Sequence, residues 1–176
     1  MTFTKAALMA TATLTLCALP ALAETSTKRV AANTDWSTFV DGTPKKCWVV
    51  SAPKQSESER GGKAVAVNRG DIRLFVTYGA GSPGEISFSG GYPFAPGSAV
   101  VLDIGGTKFN LSPDTSVKDW AWPGAPDDDA KIIAALKAGS SAIVTGKSAK
   151  GTQTKDTFSL SGFSAAVDEA AKRCAN

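Results

Sequence analysis

One stretch, DTFSLSGFSAAVDEAAKRC at residues 156–174, decides the fold of this chain. Its first part alternates apolar and polar residues at the two-residue period of a strand, with Phe158 and Leu160 on one face. After Gly162 the period changes to that of a helix, whose apolar face carries Phe163, Ala166, Val167, Ala170, Ala171 and Cys174. We therefore expect a strand, a turn and an amphipathic helix that packs on the rest of the chain.

Two cysteines should join this helix to an early strand. Cys174 lies on the apolar helical face, so its side chain should point inward. Its natural mate is Cys47, which begins the apolar run Cys47-Trp48-Val49-Val50. In an oxidising compartment such a pair predicts a structural disulfide. A redox pair of free thiols is the alternative, but the Cys-x-x-Cys spacing that tunes such a site is missing.

The first 23 residues read as a secretory signal peptide. Lys5 supplies the charged region, residues 6–19 the apolar region, and Ala21-Leu22-Ala23 the small-x-small cleavage site. The apolar run is shorter than the roughly 20 residues that a membrane-spanning helix needs. We expect a periplasmic or secreted protein that begins at Glu24 and keeps no membrane span after cleavage.

The composition excludes several chemistries. The chain has no histidine, and both of its methionines precede Glu24. A Ser-His-Asp or Cys-His nucleophilic system, a histidine metal ligand and a Met/His haem pair are therefore excluded. The formal net charge of +3 is dispersed rather than gathered into a patch, which does not favour nucleic acid or a membrane surface. We expect no cofactor and no metal.

The mature chain predicts a polar, flexible lead-in over residues 24–34 and one domain over residues 35–176. Short apolar runs separated by glycine and proline predict an antiparallel β-sandwich. The expected strands cover residues 36–40, 46–52, 64–68, 72–78, 85–89, 99–104, 108–111, 142–145 and 154–160. Residues 54–63 read as a solvated hairpin loop. Asp127, Asp128 or Asp129 can cap a short helix with Ile132, Ile133 and Leu136 inside and Gly139 at its end.

Two motifs that invite a functional reading also have simpler ones. Arg69-Gly70-Asp71 is the tripeptide of integrin-binding loops, but between two strands it is typical of a solvated hairpin turn. Ser51-Ala52-Pro53-Lys54 fits the Ser-x-x-Lys pattern of serine acyl-enzymes, yet Pro53 disfavours the helix that this chemistry requires.

Two further motifs lack essential residues. Gly146-Lys147-Ser148 ends like a phosphate-binding loop, but Ser141 stands where the first glycine should be. The aspartates 127–129 lack the alternate-residue spacing and central glycine of a calcium loop. We expect neither nucleotide nor calcium binding.

Large aromatic residues near glycine and proline provide a candidate binding edge. Trp120 and Trp122 would share a face of an extended segment, as a stacking platform for a sugar or an apolar partner. Tyr92 and Phe94 lie in a loop, residues 90–97, that is too rich in glycine and proline for a strand interior. We hypothesise that these four residues form an aromatic edge where a partner docks. The alternative is that all four fill the core.

A set of motifs runs through most of the mature chain in a specific order and spacing. It consists of Trp36, Pro44-x-x-Cys47-Trp48-Val49-Val50-Ser51-Ala52-Pro53, Gly91-Tyr92-Pro93-Phe94, Ala121-Trp122, Asp129 to Gly139, Gly151-Thr152 to Phe163, and Cys174. This set resembles the invasion-associated locus B family of small exported bacterial proteins. The resemblance implies an immunoglobulin-like β-sandwich in the periplasm or cell envelope, with no catalytic residues to carry over.

Two classes of function remain open from the sequence. The favoured one is a non-catalytic binding or structural module of the envelope that engages a protein or glycan partner. The alternative is a periplasmic hydrolase that uses carboxylates alone, as many glycosidases do. That reading needs two acids several Å apart in a cleft, chosen from Glu57, Glu85, Asp103 and Asp119.

Mass spectrometry of the protein from its native host tests the export hypothesis. The expected N-terminus is Glu24, because cleavage should follow Ala21-Leu22-Ala23. Protein that keeps Met1 and remains in the cytoplasm would contradict both export and the oxidising environment assumed for the disulfide.

Overall fold

In the computed structural model, which describes residues 28–79 and 82–175, twelve strands form one antiparallel sheet that folds over on itself. The predicted signal peptide lies outside these residues. The strands are β1 (Arg29–Asn33), β2 (Trp36–Asp41), β3 (Lys46–Ser51), β4 (Gln55–Arg60), β5 (Lys63–Ala64), β6 (Arg73–Tyr78), β7 (Glu85–Ser89), β8 (Val100–Ile104), β9 (Thr107–Pro113), β10 (Trp120–Pro123), β11 (Ser141–Lys147) and β12 (Gln153–Ser159). Helices α1 (Pro126–Ala138) and α2 (Phe163–Cys174) complete the described part.

The sheet has two halves, and their inner faces build the core. The order along the sheet is β1-β2-β3-β6-β7-β10-β9-β8-β11-β12-β4-β5. We call β1, β2, β3, β6, β7 and β10 the first half of the sheet, and β9, β8, β11, β12, β4 and β5 the second half. Phe88 on the first half meets Phe158 on the second with 6.3 Å between ring centroids. On the strands that build the core, alternate residues point inward, as Cys47 and Val49 do on β3. The predicted all-β antiparallel sandwich is confirmed.

The turn between β12 and α2 locks onto the start of the first half. Trp36 donates its Nε1 hydrogen to the carbonyl oxygen of Ser159 over 3.0 Å and packs edge-on against Phe163, with ring centroids 4.8 Å apart. Gly162 has φ = +87°, and a Cβ at that position would collide with the backbone of Asn33. A glycine is therefore required there on two independent grounds.

Helix α2 buries the face that its sequence predicts. Phe163, Ala166, Val167 and Ala170 are fully buried, and Cys174 is half-buried. Its sulfur is bonded to that of Cys47, which is buried on β3, with 5.9 Å between the Cα atoms. The predicted disulfide and the amphipathic C-terminal helix are thus both confirmed.

Helix α1 differs from its prediction at its N-terminus. It begins at Pro126, its N-cap is Ala125, and no side chain caps it, so the predicted aspartate cap is wrong. Instead the Asp129 carboxylate accepts a hydrogen bond from the Ile86 backbone N–H over 2.7 Å and ties the helix to β7. Burial raises the pKa of Asp129, and the nearby charges of Glu85 and Asp128 act in the same direction. The inner face and the end at Gly139 agree with the prediction.

The strand predictions failed where strands are exposed on both faces. Residues 29–33, expected in the flexible lead-in, form β1, and residues 55–60, expected in a loop, form β4. Most residues of β4 are exposed, so its sequence carries no apolar alternation for the prediction to detect. β5 covers only Lys63–Ala64, after which the chain crosses the end of the sandwich to β6. The hairpin predicted around residues 69–71 is therefore wrong.

Removing the disulfide should lower stability without changing the fold. The bond closes a separation of 127 residues, for which the chain-entropy model allows about 4 to 5 kcal/mol as an upper figure. The double variant Cys47→Ala, Cys174→Ala should therefore unfold at a lower temperature while its circular dichroism spectrum is retained. Peptide mapping without reductant should recover the two linked half-peptides. Complete thiol labelling of both cysteines in the oxidised native protein would contradict the bond.

Asp129 should give the protein a pH-dependent stability of defined sign. Because its folded-state pKa is raised, the folded protein binds the proton more tightly than the unfolded chain. Stability from this group therefore falls as pH rises from its unfolded pKa through its folded pKa. Asp129→Asn should gain stability relative to the native protein over that window, as measured by urea unfolding at several pH values. Asp127→Asn, an exposed neighbour, is the matched control; equal profiles for the two variants would contradict the prediction.

Candidate functional site

The outer face of the first half carries a row of large apolar side chains. Phe39 lies directly opposite Trp48, and Val50 lies directly opposite Phe75, so these residues share one face of the sheet. Trp120 and Trp122 on β10 extend the row. All six side chains are half-buried. We call the six together the aromatic face.

Ring stacking holds the aromatic face in a fixed arrangement. The Phe39 and Trp48 rings are 5.5 Å apart with planes 5° from parallel. Phe75 stacks on Trp120 at 5.2 Å, and Trp120 on Trp122 at 5.7 Å. On β7, which lies between β6 and β10, the outward-facing Ser87 and Ser89 are only 5% and 6% exposed. These small residues leave room for the rings, which cover them.

The outer face of the second half has a different composition. An antiparallel sheet with one solvated face normally carries polar residues on that face. The second half follows this rule, with Val101 and Ile143 as the apolar exceptions on its outer face. The polar residues on that face are Gln55, Glu57, Glu59, Asp103, Lys108, Asn110, Ser112, Ser141, Thr145, Gln153, Lys155 and Thr157. The aromatic face is therefore a departure within one sheet and not a general property of this chain.

The four aromatics proposed from the sequence fall into two pairs on opposite sides of the sheet. Trp120 and Trp122 belong to the aromatic face. Phe94 is buried in the core against Phe88, with ring centroids 6.2 Å apart, and Tyr92 packs edge-on against Phe94 at 5.1 Å. The sequence analysis did not select Phe39, Trp48 and Phe75. Alternation along β3 places Trp48 and Val50 on the face opposite Cys47 and Val49, but it does not say which face lies outside.

Arg69 closes the gap between the two halves of the sandwich. Its Nη1 and Nη2 donate to the two carboxylate oxygens of Asp156 on β12, each over 2.7 Å. Its Nε and Nη2 also donate to the carbonyl oxygen of Gly90, which follows β7. The Arg69 side chain is 8% exposed and that of Asp156 0% exposed. A buried bidentate pair of this kind makes Arg69 inaccessible to an integrin, although Asp71 is exposed.

Tyr92 completes this polar cluster. Its ring lies under the Arg69 guanidinium, 4.9 Å from ring centroid to Cζ, and its hydroxyl is 2.6 Å from the Thr154 Oγ1. Burial raises the pKa of Tyr92, against the opposing effects of the Thr154 hydrogen bond and the Arg69 charge. The tyrosine is therefore neutral, and its hydroxyl takes part in the hydrogen bonding of the cluster.

The four acids considered for carboxylate catalysis lie on separate elements. Asp103 accepts a hydrogen bond from the Gly106 N–H in the β8–β9 turn. Glu57 on β4 accepts from Gln55 and lies 3.7 Å from Lys155 Nζ. Glu85 begins β7, and Asp119 precedes β10. Asp103 and Glu57 therefore have local partners of their own within the sheet.

The Ser-x-x-Lys motif is not arranged for acyl transfer. Ser51 donates its hydroxyl hydrogen to the Asp35 carbonyl oxygen over 2.7 Å. Lys54 forms its ion pair with the Asp35 carboxylate and lowers the pKa of that group. Among residues 28–79 and 82–175 there is no cluster of three His, Cys, Asp or Glu side chains that could hold a metal ion. In the same residues no helix is long and apolar enough to cross a membrane.

Comparisons with known proteins find a matching family and a solved structure of similar fold. Residues 36–171 match the family model described as invasion associated locus B (IalB) protein. Among solved structures, the chain is similar to the crystal structure of invasion associated protein B from Bartonella henselae, with a TM-score of 0.57 and 15% identity. That match covers 81% of this chain and 96% of the other. No curated protein matches this chain. The family match spans most of the domain, and this chain belongs to the invasion associated locus B family.

Proposed function

We propose that this protein is exported to the cell envelope and acts there as a non-catalytic binding module whose aromatic face docks on an apolar surface of a protein partner. The observation that carries this proposal is the concentration of five aromatic rings and Val50 on the outer face of one half of the sheet. The signal-like N-terminal sequence and the disulfide support the location.

The core does not require these aromatic rings on the outside. The inner faces and helix α2 already bury a continuous apolar cluster. Partly solvated rings in a contiguous patch are typical of interaction sites, whereas polar residues would serve a purely solvated sheet face. Aromatic residues are also enriched at the energetic centres of protein interfaces.

The stacking geometry favours a protein partner over a glycan. A sugar ring stacks on an open aromatic face, but here Trp120 lies between Phe75 and Trp122 with planes 24° and 21° from parallel. Its ring faces are therefore partly covered by its neighbours. Rings that are already fixed by stacking lose little conformational entropy when an apolar partner surface packs on them.

Site-specific photo-crosslinking in the native host tests where the partner binds. A photoreactive amino acid at Val50, in the middle of the aromatic face, should give a covalent adduct with one protein. The matched control is the same amino acid at Ile143, a half-buried apolar position on the polar outer face of the second half. Equal adducts from both positions, or an adduct that contains glycan and no protein, would contradict the proposal.

Substitutions separate binding from folding. Trp48→Ala and Trp122→Ala should each cost less than the roughly 3 to 5 kcal/mol of a fully buried aromatic residue, because both are half-buried. Trp36→Ala, at 1% exposure, should show the full cost in denaturant unfolding. The first two variants should fold, yet lose the adduct formed from position 50. If either unfolds the domain as Trp36→Ala does, the aromatic face is part of the core.

A further inference from the structure

A cavity at the end of the sandwich has an excess of positive charge. It has a volume of about 430 Å³ and lies between the crossing segment that contains Arg69, the loop at Tyr92, and the β11–β12 turn. Its charged lining residues are Arg60, Arg69 and Lys150, and none of the described residues that line it is Asp or Glu. Asp156 forms an ion pair with Arg69 from the inner side. The remaining charge on the cavity is that of Arg60 and Lys150.

Arg60 is held in position at the wall of the cavity. Its Nε and Nη2 both donate to the hydroxyl oxygen of Thr152, a buried residue, over 3.1 and 2.6 Å. Its Nη1 has no hydrogen-bond partner in the described part of the chain. One edge of the guanidinium is thus fixed by the protein and the other stays available to a ligand. A fixed guanidinium loses little freedom when it binds an anion.

The surroundings of Arg60 are unfavourable without a counterion. Lys63 lies directly opposite Arg60 in the β4–β5 pair, and like charges in that position destabilise a sheet. Among the described residues, none of Arg60, Lys63 and Lys150 has a carboxylate within salt-bridge distance. An anion bound in the cavity beside Arg60 would offset this repulsion.

Neutral donors face the same space. Ser148 is buried and its Oγ accepts from the Thr152 N–H over 3.1 Å, which leaves its own hydroxyl hydrogen available. The Asn68 side chain also lines the cavity. A guanidinium edge, an ammonium, a hydroxyl and an amide form the donor set that suits a phosphate group with several acceptor oxygens.

We infer that this cavity binds a phosphate monoester group carried by a small polar body. The volume exceeds that of the phosphate group alone and falls within the range of small-ligand pockets. The phosphate group lies between Arg60 Nη1 and Lys150, and the polar body contacts the Asn68 side of the cavity. The site is separate from the aromatic face, so it does not depend on the function proposed above.

Isothermal titration of the folded protein with glucose 6-phosphate tests the inference, with glucose and acetate at equal ionic strength as comparisons. Saturable binding is expected for the phosphate ester alone, and its affinity should fall as salt increases. Arg60→Gln and Lys150→Gln should each weaken it by about tenfold or more, the loss expected for a charge-assisted hydrogen bond. Lys150 is exposed and its side chain has no hydrogen bond or ion pair within the described residues, so its variant separates binding from folding. Lys172→Gln removes an equal charge on α2 and should bind as the native protein does.

A second arm identifies the source of the phosphate group. Vesicles of phosphatidylcholine that contain phosphatidic acid should retain the protein in co-sedimentation only if a lipid headgroup can enter the cavity. Retention that is lost in Lys150→Gln and kept in Lys172→Gln assigns the site to a headgroup, and binding of the sugar phosphate alone assigns it to a soluble ligand. Absence of binding to both probes, or equal binding by all three variants, would overturn the inference.

Discussion

The sandwich depends on the contact between Trp36 and the turn that joins β12 to α2. Trp36 fills the space beside Phe163 and satisfies the Ser159 carbonyl, while Gly162 allows the backbone of Asn33 to approach. This contact sets the direction in which α2 leaves the sheet. With that direction fixed, the helix lies over β2 and β3, and Cys174 reaches Cys47. The disulfide therefore secures an arrangement that packing has already defined.

The ion pair of Arg69 with Asp156 has a different role in the same framework. Two charges taken out of water gain little net stability, but the loss of one partner from a buried pair costs about 3 to 5 kcal/mol. The pair therefore adds little net stability but fixes the positions of the two segments that it joins. It fixes the segment that crosses from β5 to β6, and that segment forms one wall of the cavity that Arg60 and Lys150 also line.

Sequence periodicity predicted the elements that bury one face. The helix from Phe163 to Cys174, the strand at Cys47 and the disulfide between them follow from patterns of apolar residues that folding has to bury. β4 was missed because the sequence QSESER has no apolar side chains to bury. This segment is a strand because its backbone pairs with β12. Arg69 was misread because a local turn pattern says nothing of a partner 87 residues away.

The same reasoning predicted only part of the candidate site. Trp120 and Trp122 were selected because two-residue spacing places them on one face, and the structure keeps them together. Their neighbours Phe75 and Trp48 come from strands that the chain order separates, and only the sheet order brings them alongside. Phe94 looked equivalent to Trp122 from its proline and glycine neighbours, yet the loop turns it into the core.

The ends of the sheet restrict how this protein can associate. β5 has two residues, begins with a lysine, and leaves little backbone for another strand to extend. β1 pairs with β2 through an irregular register between Arg29 and Ala31, which disturbs a flat edge. Neither border of the sheet is suited to growth into fibres by strand addition. This protein can therefore carry apolar rings on one sheet face while the edges of its sheet resist strand addition.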